Sequence, residues 1–156
     1  MQPEDDDKRL WGVFDKNEDA KHTMRIWITR LLVLAVFAVN VYCALSFILF
    51  PEQSIGAYEL TGASGIAAIQ GIGFAFLMWN ATYPPVIIKP ARQRVLFLVI
   101  IFQQVIGLVG DAIIYYQLPE VHLVLAESIL RFIIFDSAGL VLLILGFFLT
   151  RKRKVA

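Results

Sequence analysis

The chain stays polar through Arg25 and then alternates between long apolar runs and short polar connections. The apolar runs cover about Ile26–Phe50, Gly62–Trp79, Val95–Tyr116 and Leu123–Leu149. A bilayer core about 30 Å thick is crossed by about 20 apolar residues in helical form. Each run therefore predicts a membrane-spanning helix, the fourth longer than a crossing needs. Pro51, Pro84, Pro85, Pro90 and Pro119 all fall between the runs, where helix breakers are expected. The predicted fold is all-α, an integral membrane four-helix bundle. A tail at 1–25 precedes the bundle at 26–150, and a basic tail at 151–156 follows it.

Composition agrees with this class. The 156 residues are 58% hydrophobic and 17% charged, against roughly 25% charged in soluble domains. The net charge of +1 says little until the charges are placed along the chain. Lys8, Arg9, Lys16, Lys21, Arg25 and Arg30 precede or open the first run. Lys89, Arg92 and Arg94 separate the second from the third, and Arg151, Lys152, Arg153 and Lys154 follow the fourth. The connections Pro51–Thr61 and Gln117–His122 carry no Lys or Arg. The positive-inside rule then places both termini in the cytoplasm. It also places the Asn80-Ala81-Thr82 sequon on the cytoplasmic side, away from glycosylation. The N-terminal segment lacks the short basic start and short apolar core of a cleavable signal. Its Leu10, Trp11 and Phe14 could share one face of a short interfacial helix, the alternative being a disordered acidic tail. Short loops point to a bacterial inner (plasma) membrane.

The two basic-free connections share a detail. In "PEQSIGAYE" Glu59 follows Glu52 by seven residues, and in "PEVHLVLAE" Glu127 follows Glu120 by the same interval. At that offset the first run overlays the third and the second overlays the fourth, as in a parallel duplication of helical hairpins.

Ionisable groups within apolar runs cost roughly 2.5–3.5 kcal/mol on insertion scales and mark candidate sites. In the third run, Gln103, Gln104, Gly107, Gly110 and Asp111 fall in one stripe about 120° wide at about 100° per residue. In the second, Gln70 shares a face with Glu59, and glycines line the opposite side, so this helix is expected between neighbours. In the fourth, Glu127 and Arg131 stand one turn apart, and Asp136 lies deeper on another side, level with Asp111. Asn40 adds an amide near the middle of the first run. The ligand or ion-pair site predicted in the outer half therefore comprises Glu59, Gln70, Gln103, Gln104, Asp111, Glu127, Arg131 and Asp136.

Two readings of this group compete. In one, Arg131 reaches Glu59 or Asp111 and clamps helices together, so that Arg131→Ala damages folding more than Arg131→Lys. In the other, the group forms a polar pocket. The acids outnumber the single guanidinium, so Asp111 or Asp136 is either protonated or balanced by a bound cation or basic ligand.

Several chemistries lack their residues. Cys43 is the one cysteine, which removes an internal disulfide and CxxC chemistry. His22 and His122 lie outside the runs, against buried haem ligation. No lysine lies within a run, and there is no P-loop, HExxH or His/Cys cluster, so no cofactor or metal is expected. The RKRK tail reads as a topology anchor on anionic lipid, with no nucleic-acid partner implied.

"FILFPE" at the end of the first run, "GASGIAAIQGIGFAFLMW" and the acidic start of the fourth run resemble the DoxX-like small four-helix membrane proteins, many of unknown function. The resemblance covers about Leu31–Leu149. It implies a four-helix bundle and transfers no catalytic residues. Redox members of that group use cysteines, and here Cys43 has no second thiol. The expected function is a small non-enzymatic membrane protein, an accessory subunit or a ligand-binding bundle. Its expected partners are membrane lipids and a homo-oligomer or larger complex. The alternatives are a proton- or ion-coupled transporter using Asp111 and Asp136, and a lipid- or isoprenoid-modifying enzyme.

Overall fold

The computed structural model describes residues 4–150, with side chains from Asp19 onward. The order is α1 (Glu4–Leu49), α2 (Glu52–Ile55), a 3-10 turn (Gly56–Tyr58), α3 (Gly62–Asn80), α4 (Tyr83–Ile88), α5 (Arg94–Gln117) and α6 (Leu123–Leu149). Among the described residues there is no strand. Four helical stretches are long and apolar enough to cross a membrane: Asp19–Leu49, Gly62–Ile88, Arg94–Gln117 and Leu123–Leu149.

Helix ends follow the prolines in the first and third spans. α1 stops before Pro51, which has no N–H to continue the ladder. The carbonyl of Ile48, left free in that last turn, accepts the Gln70 amide of α3 at 3.1 Å. α5 ends at Leu118, extended at φ −73°, ψ 129°, as a residue before Pro119 must be. α1 begins far earlier than Ile26, so the tail is not a separate element. The side chains of Leu10, Trp11 and Phe14, and residues 151–156 with the RKRK run, lie outside the described residues.

The second span departs from expectation. Pro84 and Pro85 do not lie beyond it. α3 is followed after a two-residue turn by α4, with the prolines in the first turn of α4, and the apolar stretch runs on to Ile88. Neither proline has an N–H to offer the carbonyls of Asn80 and Ala81 four residues earlier, so the helix opens there. The break is inside the bundle, because Tyr83 just after it is fully buried and Asn80 is 4% exposed. Asn80 of the sequon is thus in the interior, while Ala81 and Thr82 form the turn between α3 and α4.

α1 is the centre of the bundle, packing on α3, α6 and α4, and α5 packs on α6 and α4. α3 and α5 have no extensive contact, so the helices form an arc α3–α1–α6–α5 with α4 closing one end of the gap. Glycines set the close approaches. A Cβ at Gly73 would sit 2.9 Å from the Ala44 carbonyl oxygen, and one at Gly146 would sit 3.4 Å from Thr29. The opposite face of α3, with Ala63, Ala67 and Phe74, is exposed, so α3 lies between neighbours on one side only. The dense core, Val33, Val36, Tyr83, Val86, Phe97, Ile100 and Leu143, fills the end of the bundle near α4. There Arg30 donates to the Ile88 carbonyl at 2.7 Å, meeting the partial negative charge at the C-terminus of α4.

The hairpins α1–α3 and α5–α6 each pack on themselves, but the shared motif does not fold alike. Glu59 ends the 3-10 turn at φ 54°, whereas Glu127 lies within α6. The difference arises because the first segment coils into α2 and a 3-10 turn, while the second enters its helix directly.

Candidate functional site

Where the arc leaves α3 and α5 apart, a cavity of about 510 Å³ opens. Every main helix contributes to its wall: Asn40 and Cys43 from α1, and Phe76, Trp79 and Asn80 from α3. Gln104, Gly107, Gly110 and Asp111 come from α5, and Arg131, Phe132, Phe135 and Asp136 from α6. Ile106 and Ile114, also in its wall, are exposed at 66% and 51%, so the cavity opens sideways at α5 instead of being enclosed.

A directed hydrogen-bond chain runs from α1 to α6. Asn40 Nδ2 donates to Tyr83 Oη at 3.4 Å, and Tyr83 Oη donates to Gln104 Oε1 at 3.5 Å. Gln104 Nε2 donates to Asp136 Oδ1 at 2.9 Å and lies 3.4 Å from the Asp136 carbonyl. The first two links are long, and the last is a normal charge-assisted bond. Two glycines make room for it. A Cβ at Gly139 would stand 3.1 Å from Gln104 Nε2, and one at Gly107 would stand 3.2 Å from Asp136 Oδ2 and 3.3 Å from Trp79. The Gln104 amide therefore lies against the α6 backbone, and the Asp136 carboxylate against that of α5.

Above this chain is an aromatic cluster. Phe47 meets Tyr58 at 5.8 Å, Phe76 at 6.1 Å and Phe132 at 6.2 Å between ring centroids. Tyr58 and Phe76 also meet Phe132, at 6.5 and 6.2 Å. Separations of this size are typical of packed aromatic pairs. Phe76 and Phe132 line the cavity as well, so it lies between the aromatic cluster and the aliphatic core.

Of the site residues expected from sequence, the structure brings Gln104, Asp111, Arg131 and Asp136 to this one cavity. Gln103 is beside it, its Oε1 accepting from Thr82 at 3.1 Å. Gln70 is elsewhere, on the Ile48 carbonyl. Glu59 is held by His122 and by the Leu125 N–H at 3.3 Å, joining the two loops that lack Lys and Arg. The His122 hydrogen bond holds the Glu59 carboxyl below its ordinary range. Glu127 accepts from Arg131 at 2.7 Å.

The clamp expected of Arg131 is not formed. Its partner Glu127 is on the same helix, and the two side chains are 70% and 67% exposed, so the pair ties no second helix. Glu59, the other proposed partner, is taken by His122. Asp111 has no hydrogen bond or salt bridge among the described residues.

Three contributors were not expected from sequence: Tyr83, Asn80 and the aromatic walls. Tyr83 and Asn80 belong to the Asn-Ala-Thr-Tyr-Pro-Pro segment, which reads as a loop because of its prolines. The signal that points to them is the apolar Val86-Ile87-Ile88 beyond the prolines, which continues the span. Among the described residues no group of three or more His, Cys, Asp or Glu could hold a metal ion.

Compared with family models, curated proteins and solved structures, the chain matches none. The resemblance to DoxX-like proteins therefore rests on its sequence motifs alone.

Proposed function

We propose that the protein is a non-enzymatic membrane bundle that binds a small amphipathic molecule in a cavity in the outer half of a bacterial inner membrane. The observation that carries this reading is the cavity between α3 and α5, whose about 510 Å³ lies within the roughly 300–1,000 Å³ of small-molecule sites. Its walls are mainly apolar and aromatic, and its polar side chains are Asn40, Asn80, Gln104, Asp111, Arg131 and Asp136. The sideways opening suits a ligand that arrives from the lipid. A broken helix whose interruption borders the cavity is also a recurrent device for membrane binding sites.

Trp79 is a native reporter. With Trp11→Phe and Trp27→Phe it becomes the one tryptophan. In nanodiscs, a dodecyl amphiphile with a chain-terminal nitroxide should quench Trp79 saturably. Gly110 lines the cavity, and a Cβ there meets nothing within 4 Å, so Gly110→Leu should fill the space without a clash at its Cβ. Quenching that rises linearly and equally in both proteins reflects bulk lipid partitioning and refutes the proposal.

The two carboxylates facing one cavity also favour a second reading, a proton- or ion-coupled carrier. It requires a pH-dependent flux in liposomes that Asp111→Asn or Asp136→Asn abolishes while the protein still folds.

A further inference from the structure

The polar atoms left unmatched around this cavity have a common character. Asn80 is 4% exposed, and its Nδ2 donates to the Phe76 carbonyl at 2.7 Å. That bond fixes the amide orientation, because the flipped amide would set two oxygens against each other. Asn80 Oδ1 is then buried without a partner. A buried, unsatisfied acceptor costs on the order of a hydrogen bond and calls for an explanation. Among the described residues Asp111 has no hydrogen-bond or salt-bridge partner, and Asp136 uses only Oδ1, leaving Oδ2 beside Gly107. All three are acceptors, though Asn80 Oδ1 has no surface open to the cavity.

Charge points the same way. Asp111 and Asp136 line the cavity with Arg131, whose guanidinium bonds Glu127. The carboxylates of the cavity therefore outnumber the cations left to balance them. Trp79, Phe76, Phe132 and Phe135 add π faces, which attract a cation and repel an anion.

Resting on the binding function above, we infer that the ligand's polar head is a cation bearing N–H donors, a protonated primary or secondary amine on an apolar tail. The ammonium would lie between the two carboxylates, give its N–H hydrogen bonds to Asp111 and Asp136 Oδ2 and place its tail along Ile106 and Ile114 toward the lipid. A quaternary ammonium would meet the charge but offer the carboxylates no N–H. A neutral alcohol could donate one hydrogen bond to a carboxylate but would not meet the charge.

The test uses the full chain with Trp79 as its one tryptophan, in nanodiscs of zwitterionic lipid. Three nitroxide-tailed dodecyl probes differ only in head: primary ammonium, trimethylammonium and hydroxyl. The primary ammonium should bind at least about tenfold more tightly than the hydroxyl probe, with trimethylammonium between them. Asp136→Asn and Asp111→Asn should each remove most of that advantage. Saturable but equal binding of all three heads, unaffected by the Asp variants, would overturn the cation inference and leave the cavity function standing. Tighter binding of trimethylammonium than of primary ammonium would overturn the N–H requirement. Absence of saturable quenching by any probe would overturn both.

Discussion

Gln104 is the residue on which the site's internal order depends, since it receives Tyr83 and holds Asp136. Gln104→Leu keeps the volume but leaves a tyrosine hydroxyl and a carboxylate oxygen unpaired. The expected loss is about 1–3 kcal/mol, read as a lower melting temperature in detergent. Glycines divide by what surrounds them. A Cβ at Gly73 would meet Ile48 at 2.8 Å and the Ala44 carbonyl at 2.9 Å, whereas one at Gly71 meets nothing within 4 Å. Gly73→Ala must push α3 off α1 and should cost about 1–3 kcal/mol. Gly71→Ala should be neutral or stabilising by up to about 1 kcal/mol through helix propensity. Equal melting of the two variants would show that α1 and α3 do not pack as described. Arg131→Ala and Arg131→Lys should both melt close to wild type, because an exposed (i, i+4) pair contributes no more than about 0.5 kcal/mol.

At the scale of elements, the loops that lack Lys and Arg are joined by the Glu59–His122 pair. Because the fold lowers the Glu59 pKa, the pair contributes fully above the carboxylate's ordinary value of 4.5. That contribution is lost as pH falls through the lower folded value. Hydrogen exchange in 56–61 and 122–125, corrected for intrinsic rates, should therefore be steady from neutral pH to about that value and rise below it. Glu59→Gln should remove this dependence, and a wild-type profile that stays flat to pH 2 would contradict the link. The long runs of α1, α5 and α6 were legible in the sequence because about 20 apolar residues between prolines admit few other structures. The end of α3 was not. Two prolines mark both a loop and the first turn of a helix, and only the burial of Tyr83 distinguishes them. Gln104, Asp111 and Asp136 were legible as site candidates because helical spacing and depth are local properties. The partners of Arg131 and Glu59 were not, because a long side chain has several acceptors in reach and tertiary packing selects among them.

For the whole molecule, the arc of helices decides what the protein can do. A closed square of four helices would bury the carboxylates against one another, whereas the arc leaves them facing a space open toward α5. The aliphatic core holds one end of the bundle together, and the aromatic cluster closes the other side of the cavity. The most direct test of this account is an experimental structure of the full chain in lipid nanodiscs, compared with Gly110→Leu. The account predicts density for a bound molecule between Trp79, Asp111 and Asp136 in the wild type, absent from the variant. An α3 packed along α5, with side chains filling the space between them, would contradict it.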